Sequence, residues 1–303
     1  MRTTGLGTLI KRNVKLYFKD KGMFFSSMIT PIILLILYTT FLKNVFVDSF
    51  SSSLEAAGAT VEDSIIGGFV GGELVSSLLA VSCVTVAFCS NLLMVQDKIS
   101  GARRDLTVAP VHSGTLAISY YAASLLSTLL ICFIASGVCF AYLAAEGWYL
   151  SAGDVVAVMG DVMLLCLFGT ALSSCINFPL TTQGQASAVG TIVSAGYGFI
   201  CGAYMPISQF SEGLQKFLSF LPGTYGTSML RNHALRGIFE EMSHHGFPDQ
   251  VIESIKDSVD CNIYFYGDKV PVGNMYLILA ATIAVLVVLY VLMNVIKAKR
   301  KRG

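Results

Sequence analysis

Long runs without a charged residue dominate this sequence and limit the folds open to it. A helix needs about 20 apolar residues to cross the roughly 30 Å of hydrocarbon in a bilayer. Only 13% of the 303 residues are charged and 54% are hydrophobic, against about 25% and 45–50% in soluble domains. The uncharged runs that meet this length are 22–42, 74–96, 113–145, 162–211 and 270–296. They predict a polytopic membrane protein.

The run 162–211 is long enough for two spans, which makes six in total. Pro179, Gly184 and two glutamines in INFPLTTQGQ favour a turn between them. We therefore predict a single all-α transmembrane domain over 1–303, with spans at 22–42, 71–96, 113–145, 155–178, 184–204 and 271–296. The first run is too long for a signal-peptide core and lacks a clear cleavage site, so we expect this span to be retained.

Basic residues concentrate on one side of the predicted topology. If the N-terminus is inside, the segments 1–22, 97–112 and 297–303 carry 14 of the 20 Lys and Arg residues. Cytoplasmic loops carry such an excess, so we expect both termini in the cytoplasm. The basic ending KAKRKRG suits the inner headgroups, and we expect no nucleic-acid partner.

The segment 4–21 has the pattern of an amphipathic helix. Apolar residues recur on one face and basic residues occupy another: Leu6, Ile10, Val14 and Tyr17 against Lys11, Arg12, Lys15 and Lys19. Such a helix suits the anionic inner leaflet, and we predict an interfacial helix here. The alternative is a charge cluster that only sets the topology.

A short charged segment, 97–111, separates predicted spans two and three. It combines a charged face with a small apolar one, and Gly101 and Pro110 delimit it. The charged residues are Asp97, Lys98, Arg103, Arg104 and Asp105, and the apolar ones are Ile99, Ala102, Leu106 and Val108. A plain connector needs only a few residues, so we predict a helix that docks on a partner. The alternative is an ordinary polar loop.

The segment 205–236, after span five, is neither a span nor an ordinary loop. Its apolar residues fit a helix that ends before Pro222, and a second helix can start after Thr224. We predict a re-entrant hairpin that enters the membrane from outside, where protein or water must cover its broken backbone. The acidic segment 237–270 is predicted to be an extracellular insert.

Several features leave two interpretations open. The glycines of GGFVGG at 67–72 suit close helix packing or a flexible hinge. Asp154 and Asp161, at the start of span four, are functional or lie at the membrane interface. His244 and His245, near Asp249, bind a metal or are simply solvated.

Motifs for enzyme chemistry are missing from the sequence. It contains no phosphate-binding loop, no HExxH and no G-x-S-x-G. Seven of the eight cysteines lie in predicted spans, where a free Cys acts as a small apolar residue, and no Cys spacing predicts a zinc site. We therefore expect a chain that is no enzyme and binds no metal or other cofactor.

Two motifs give the chain a resemblance to a known family. The first motif, between spans two and three, has an acid, a Gly, charged residues with a Leu, and a Pro. It is matched by Asp97, Gly101, Arg104, Leu106 and Pro110, with Asp where Glu is commoner. A second motif, of the type P-[apolar]-S, L-Q, L-P-x-T-Y and R, is matched by Pro206, Ile207, Ser208, Leu214, Gln215, Leu221, Pro222, Thr224, Tyr225 and Arg231. Over its whole length the chain resembles the permease subunit of ABC type-2 exporters.

This resemblance implies an assembly of several subunits. Two permease chains, identical or paralogous, would work with two separate ATP-binding cassette subunits, which hold ATP and Mg²⁺. The helix at 4–21 and the coupling helix at 97–111 would transmit the cassettes' motion to the spans. The implied coupling residues are Asp97, Gly101, Arg103, Arg104, Leu106 and Pro110.

The resemblance also implies a transport path between spans one, two and five, closed outside by the hairpin. The implied gate residues are Pro206, Ser208, Leu214, Gln215, Leu218, Leu221, Pro222, Tyr225 and Arg231. Aromatic residues in those spans are candidates for the path, or simply pack there: Tyr38, Phe41, Phe88, Tyr197 and Tyr204.

Few charges line any predicted span, which favours an amphipathic, drug-like or lipid-like cargo. We expect an exporter permease in the plasma membrane. The alternatives are an ATP-independent channel or secondary carrier, and a membrane-embedded enzyme or scaffold.

Overall fold

The structure is a computed structural model. It describes residues 5–42, 47, 63–108 and 111–300, with the backbone alone at 41, 42, 63, 107, 108 and 300. It is 84% helical. Five helices are long and apolar enough to cross a membrane: Lys21–Thr40, Ser64–Ile99, Ser113–Glu146, Ala152–Asn177 and Val272–Lys299. The prediction of an all-α polytopic membrane protein is confirmed.

The described α-helices follow one another with few other elements between them. In chain order they are α1 (Leu6–Lys19), α2 (Lys21–Leu37), α3 (Asp63–Ile99), α4 (Ala102–Val108), α5 (Ser113–Glu146), α6 (Ala152–Asn177), α7 (Gln183–Ile200), α8 (Glu212–Leu218), α9 (Pro222–Ala234), α10 (Arg236–His244), α11 (Asp249–Ser258) and α12 (Val272–Arg300). A π-helical turn, Tyr38–Leu42, extends α2, and a 3-10 turn, Ile207–Gln209, precedes α8. Strands β1 (Tyr264–Phe265) and β2 (Asp268–Lys269) form a small antiparallel hairpin within the predicted insert.

Helix α3 is the centre of the fold. It packs against α2, α5, α6, α7 and α9. In its most apolar stretch 89% of the residues are buried inside the protein, against 17% for α12. A helix that is apolar on every side is expected to be buried. Helices α2, α5, α6, α7 and α9 therefore surround α3.

The glycines of GGFVGG lie inside α3 and pack closely on its neighbours. A Cβ at Gly72 would come within 2.6 Å of Leu235 Cδ2 and 3.1 Å of the Ala234 carbonyl oxygen. A Cβ at Gly68 would come within 2.6 Å of Ile238 Cδ1. Of the two interpretations, close packing is the one this helix shows.

Helix α1 is tied to the first span by a single residue. Asp20 has an extended backbone, and its side chain accepts a hydrogen bond from the Met23 amide at 3.0 Å, which caps α2. Leu9, Asn13 and Tyr17 are buried on one face of α1, and α1 packs mainly along α5. The helix predicted as interfacial therefore rests on protein along this face.

The predicted fifth span corresponds to α7, which is not among the five helices that meet the span criteria by length and composition. It has 18 residues and contains several Gly, Ser and Gln residues. The six-span layout therefore stays a prediction.

The segment after α7 contains more short helices than predicted. The first part of 205–236 forms a 3-10 turn and α8, and the second helix, α9, begins at Pro222 rather than after Thr224. A proline is well suited to the first position of a helix, where its missing N–H costs nothing. Helix α9 packs against α3, α6 and α12 and buries most of its residues.

Candidate functional site

One carboxylate, Asp97, joins three helices at one end of the bundle. Arg12 of α1 binds it with both terminal guanidinium nitrogens, Nη1 to Oδ2 at 2.5 Å and Nη2 to Oδ1 at 3.1 Å. Tyr120 of α5 donates its hydroxyl to Oδ2 at 2.6 Å. The Asp97 side chain is 8% exposed. We call Arg12, Asp97 and Tyr120 the Asp97 network.

The ion pair with Asp97 favours the charged form of Arg12. The hydrogen bond to Asp97 raises the pKa of Arg12, against the opposing effect of burial. Bidentate, charge-assisted pairs of this kind are strong and define the orientation of both partners. Helix α1 is therefore held to α3 in one orientation. The sequence predicted a role for Asp97 but did not identify Arg12 as its partner.

The structure places Asp97 in α3 rather than in the coupling helix. The short helix α4 begins at Ala102, after a turn in which Gly101 has a φ of 84°, a conformation that glycine adopts without strain. Arg104 and Asp105 are exposed. Pro110 lies outside the described residues.

The apolar side of α4 is anchored to the spans. Leu106 is partly buried and packs against a cluster that includes Leu9 of α1 and Leu116 of α5. The exposed and anchored sides of α4 are therefore distinct, as an amphipathic docking helix requires.

Arg103 connects α4 to the last span. Its Nη2 donates to Asn294 Oδ1 at 2.9 Å. Its guanidinium also lies 5.6 Å from the centre of the Phe178 ring, which Lys98 and Lys297 approach at 5.4 and 5.1 Å. Cations are attracted to the faces of aromatic rings at such distances. Arg103 therefore has a structural role between α4 and α12.

Lys98 fastens α3 to the end of α6. Its ammonium group donates to three backbone carbonyls, those of Asn177 at 3.2 Å, Phe178 at 2.5 Å and Leu180 at 2.9 Å. Carbonyls at a helix C-terminus lack partners within the helix and favour a cation. The sequence interpretation counted Lys98 only as part of a charged surface.

A second buried network lies toward the opposite end of α3. Arg231 of α9 is fully buried, and its Nη2 lies 2.7 Å from Glu73 Oε1 and 2.8 Å from the Gly202 carbonyl oxygen. Its Nη1 lies 3.4 Å from Asp260 Oδ2. We call Glu73, Arg231 and Asp260 the Arg231 network. It joins α3, α9, the loop after α7 and the segment after α11.

Asp260 extends this network to the predicted gate. Its carboxylate accepts hydrogen bonds from the amides of Ile207 at 2.5 Å and Ser208 at 3.2 Å. Burial raises the pKa of Asp260, while Arg231 and the two amides act in the opposite direction. Two predicted gate residues, Ser208 and Arg231, therefore meet on one acid that the sequence interpretation did not single out.

The other predicted gate residues fall into three groups. Pro206, Leu218 and Tyr225 are buried, Gln215, Leu221 and Pro222 are partly buried, and Leu214 is exposed. Tyr225 donates its hydroxyl to the Ser219 carbonyl at 2.5 Å. Gln215 donates to the carbonyls of Ser208 and Phe210 at 3.0 and 2.8 Å. These bonds hold the turn, α8 and α9 in one compact unit.

Asp161, for which two interpretations were open, is buried and has partners. His233 Nδ1 lies 2.6 Å from its Oδ2, and the Tyr276 hydroxyl lies 2.5 Å from its Oδ1. Asp154, the other acid, completes a capping box with Ser151 at the start of α6 and pairs with Arg236 at 2.7 Å. Both acids connect helices of the described structure.

A cleft of about 650 Å³ opens between α2, α3 and α7. Hydroxyl groups line it from two sides, with Ser26 and Thr30 on α2 and Ser187, Thr191 and Ser194 on α7. Among the described residues, the lining contains no Asp, Glu, Lys or Arg. The cleft therefore offers hydrogen-bonding groups on an otherwise apolar, uncharged surface.

The predicted path residues are not all at this cleft. Tyr204 lines it, whereas Tyr38, Phe88 and Tyr197 are buried in the hydrophobic core of the chain. The side chain of Phe41 lies outside the described residues. Apolar side chains and five Ser and Thr residues line most of the cleft, and the prediction of path residues from aromatic side chains did not include them.

Comparison with protein families identifies a match over most of the chain. A family model described as ABC-2 type transporter matches residues 4–234. The matched region runs from α1 to the end of α9, so it includes the Asp97 network, the cleft and all of the Arg231 network except Asp260. No curated protein matches the chain.

We predict that Glu73→Ala destabilises the protein strongly. Without Glu73, Arg231 stays buried with Asp260 as its only acidic partner among the described residues. Breaking a buried ion pair costs about 3–5 kcal/mol, because it leaves a charge uncompensated. The free energy of unfolding, measured by denaturant titration in mixed micelles, should fall by that amount.

Glu240→Ala is the matched control for this prediction. Glu240 also pairs with an arginine, Arg236, but both side chains are at least half exposed. Exposed pairs contribute at most about 1 kcal/mol. Equal losses in the two variants would contradict the buried role of the Arg231 network.

Proposed function

The chain belongs to the ABC-2 type transporter family, and we propose that it is the permease of an ATP-driven exporter. Family membership makes it a multi-pass membrane component of a transporter that associates with an ATP-binding cassette ATPase, and not itself the nucleotide-binding catalytic unit. The direction of transport, the second permease chain and the cargo belong to the proposal. So do the plasma-membrane location and the cytoplasmic termini.

The observation that carries the proposal is the bidentate pair of Arg12 and Asp97. It ties α1 to the end of α3, two residues before the turn that leads into α4. The excess of Lys and Arg on this side supports a cytoplasmic position. Movement imposed on α1 or α4 from the cytoplasm would therefore reach the central span over short, stiff connections.

Helix α4 is the proposed docking element for the ATPase. Arg104 and Asp105 are exposed, while Arg103 and Leu106 hold the helix to the spans. A rigid-body switch needs contacts that differ between its two states. The exposed charges provide the contact surface, and the anchored side carries the motion inward.

We propose that the cleft between α2, α3 and α7 is this chain's half of the transport path. A second permease chain facing it would enclose a space lined from both sides. The uncharged lining with scattered hydroxyls suits the apolar body and polar group of an amphipathic, drug-like or lipid-like cargo. A small ion would need more polar coordination than this lining provides.

The outer gate is assigned to the 3-10 turn, α8 and the start of α9, as a re-entrant hairpin. Asp260 links this segment to Arg231 and so to α3. Broken backbone at membrane depth must be covered by protein or water, and α9 meets this demand by packing against three spans. A change in α3 would therefore act directly on the gate.

Reconstitution with the cassette ATPase that co-purifies with the chain tests the main proposal. We predict that the complex moves a fluorescent phospholipid analogue across liposomes only with ATP. Arg104→Glu should weaken ATPase binding by at least about tenfold, since reversing one charge of a contact adds repulsion. Lys299→Glu, an exposed charge on α12, is the control and should leave binding unchanged. Transport by the chain alone, without ATP, would instead favour the channel or carrier alternative.

A second experiment tests the path. We predict that Thr191→Trp, which places a large ring in the cleft, reduces transport at least about tenfold through steric block while the protein folds normally. The control is Ile192→Trp on the same helix, where the native side chain is 69% exposed and does not line the cleft. Transport and ATPase activity are measured for both. Full transport by Thr191→Trp would contradict the assignment.

A further inference from the structure

Three cysteines from three different spans meet in the interior of the bundle. Cys83 of α3, Cys132 of α5 and Cys166 of α6 place their sulfur atoms within 4.8 Å of one another. All three side chains are fully buried. Their positions are 49 and 34 residues apart in the chain, so only helix packing brings them together.

The spacing of the sulfur atoms is close to that of ligands on a single ion. Thiolates bind zinc at about 2.3 Å, which puts two ligands of one tetrahedral ion roughly 4 Å apart. Three thiols within 4.8 Å therefore need only small rotamer adjustments to share one ion. Cys139, also buried, lies two helical turns from Cys132 on α5 and is outside this group.

The number of ligands argues against zinc. Structural zinc is bound tetrahedrally by four ligands. Among the described residues the group contains three cysteines and no fourth His, Cys, Asp or Glu ligand. The geometry instead suits an ion that takes three soft ligands, and thiolates favour soft ions.

Charge then selects among thiophilic ions. A buried charge without a partner is costly in an apolar interior. Three thiolates on a monovalent copper ion would carry two net negative charges, and on a divalent ion one. Three thiolates on trivalent arsenic or antimony carry none. The neutral complex is the one this buried position favours.

We propose that Cys83, Cys132 and Cys166 form a binding site for trivalent arsenic or antimony. The uncharged hydroxide As(OH)₃ reacts with the three thiols. Three As–O bonds and three S–H bonds break, three As–S bonds form, and each thiol proton leaves with a hydroxide as water. No electron is transferred, so the reaction needs no oxidant or reductant.

Binding at this site would connect α3 to α5 and α6 by covalent bonds. A ligand that binds the folded protein stabilises it according to its concentration and affinity. The site therefore predicts a rise in the melting temperature with arsenite, independent of any transport activity. It does not rest on the proposed function, because binding and melting are measured without the ATPase.

The experiment uses the full chain in detergent, kept reduced, with sodium arsenite as the probe. We expect one arsenic per chain by mass spectrometry, three sulfur neighbours by arsenic X-ray absorption, and a higher melting temperature. Replacing Cys83, Cys132 or Cys166 singly by Ala should weaken binding by at least about tenfold, since each change removes a whole As–S bond.

Cys139→Ala is the matched control, because Cys139 is equally buried but outside the group. It should bind arsenite as tightly as the unaltered chain does. Melting temperatures without arsenite show which variants are folded, and the sulfur count on the unaltered chain does not depend on any variant. Fewer than three sulfur neighbours, or equal binding by all four variants, would overturn the site.

Discussion

Because α3 is buried over most of its length, its buried charged groups must find their partners within the protein. It carries two buried acids, Glu73 and Asp97, one toward each end. Each is paired with an arginine, Arg231 on α9 and Arg12 on α1. Buried acids without such partners would be costly. The central span thus fixes the positions of α1 and α9. In the proposed mechanism α1 takes part in coupling to the ATPase, and the start of α9 belongs to the outer gate.

In the proposed mechanism, α3 is the rigid element that connects the Asp97 network to the Arg231 network. The two acids are 24 positions apart, which is about 36 Å along a helix at 1.5 Å per residue. No proline interrupts α3, so it can move as one rigid body. Displacement at Asp97 would be transmitted to Glu73, and from there through Arg231 and Asp260 to the predicted gate. The cleft lies along the same helix, between these two points.

The sequence predicted those parts of the fold that depend on local composition. Uncharged runs identify the long spans, because a bilayer excludes charge along a continuous segment. Helix α7 gives a weaker signal, since residues such as Gln183, Ser187 and Thr191 reduce its hydrophobicity. These same residues line the cleft. The polar residues that line the cleft are therefore also residues that lower the hydropathy of α7.

Pairings between distant residues could not be predicted in this way. Helix packing brings together Arg12 and Asp97, Glu73 and Arg231, and the three clustered cysteines. Such contacts between helices leave no periodic pattern in a single sequence. An acid in an apolar run, such as Glu73, is nevertheless a usable signal. Searching for its partner among the arginines of the other predicted buried segments would have led to Arg231.

In the proposed mechanism, the Arg12–Asp97 pair couples ATP hydrolysis to transport. A double-mutant cycle with Arg12→Ala, Asp97→Ala and the double variant tests it, with cargo moved per ATP hydrolysed by the reconstituted complex as the measurement. Each single change should lower this ratio, and the double variant should be little worse, because both changes remove the same interaction. Losses that simply add, or an unchanged ratio in all three variants, would contradict it.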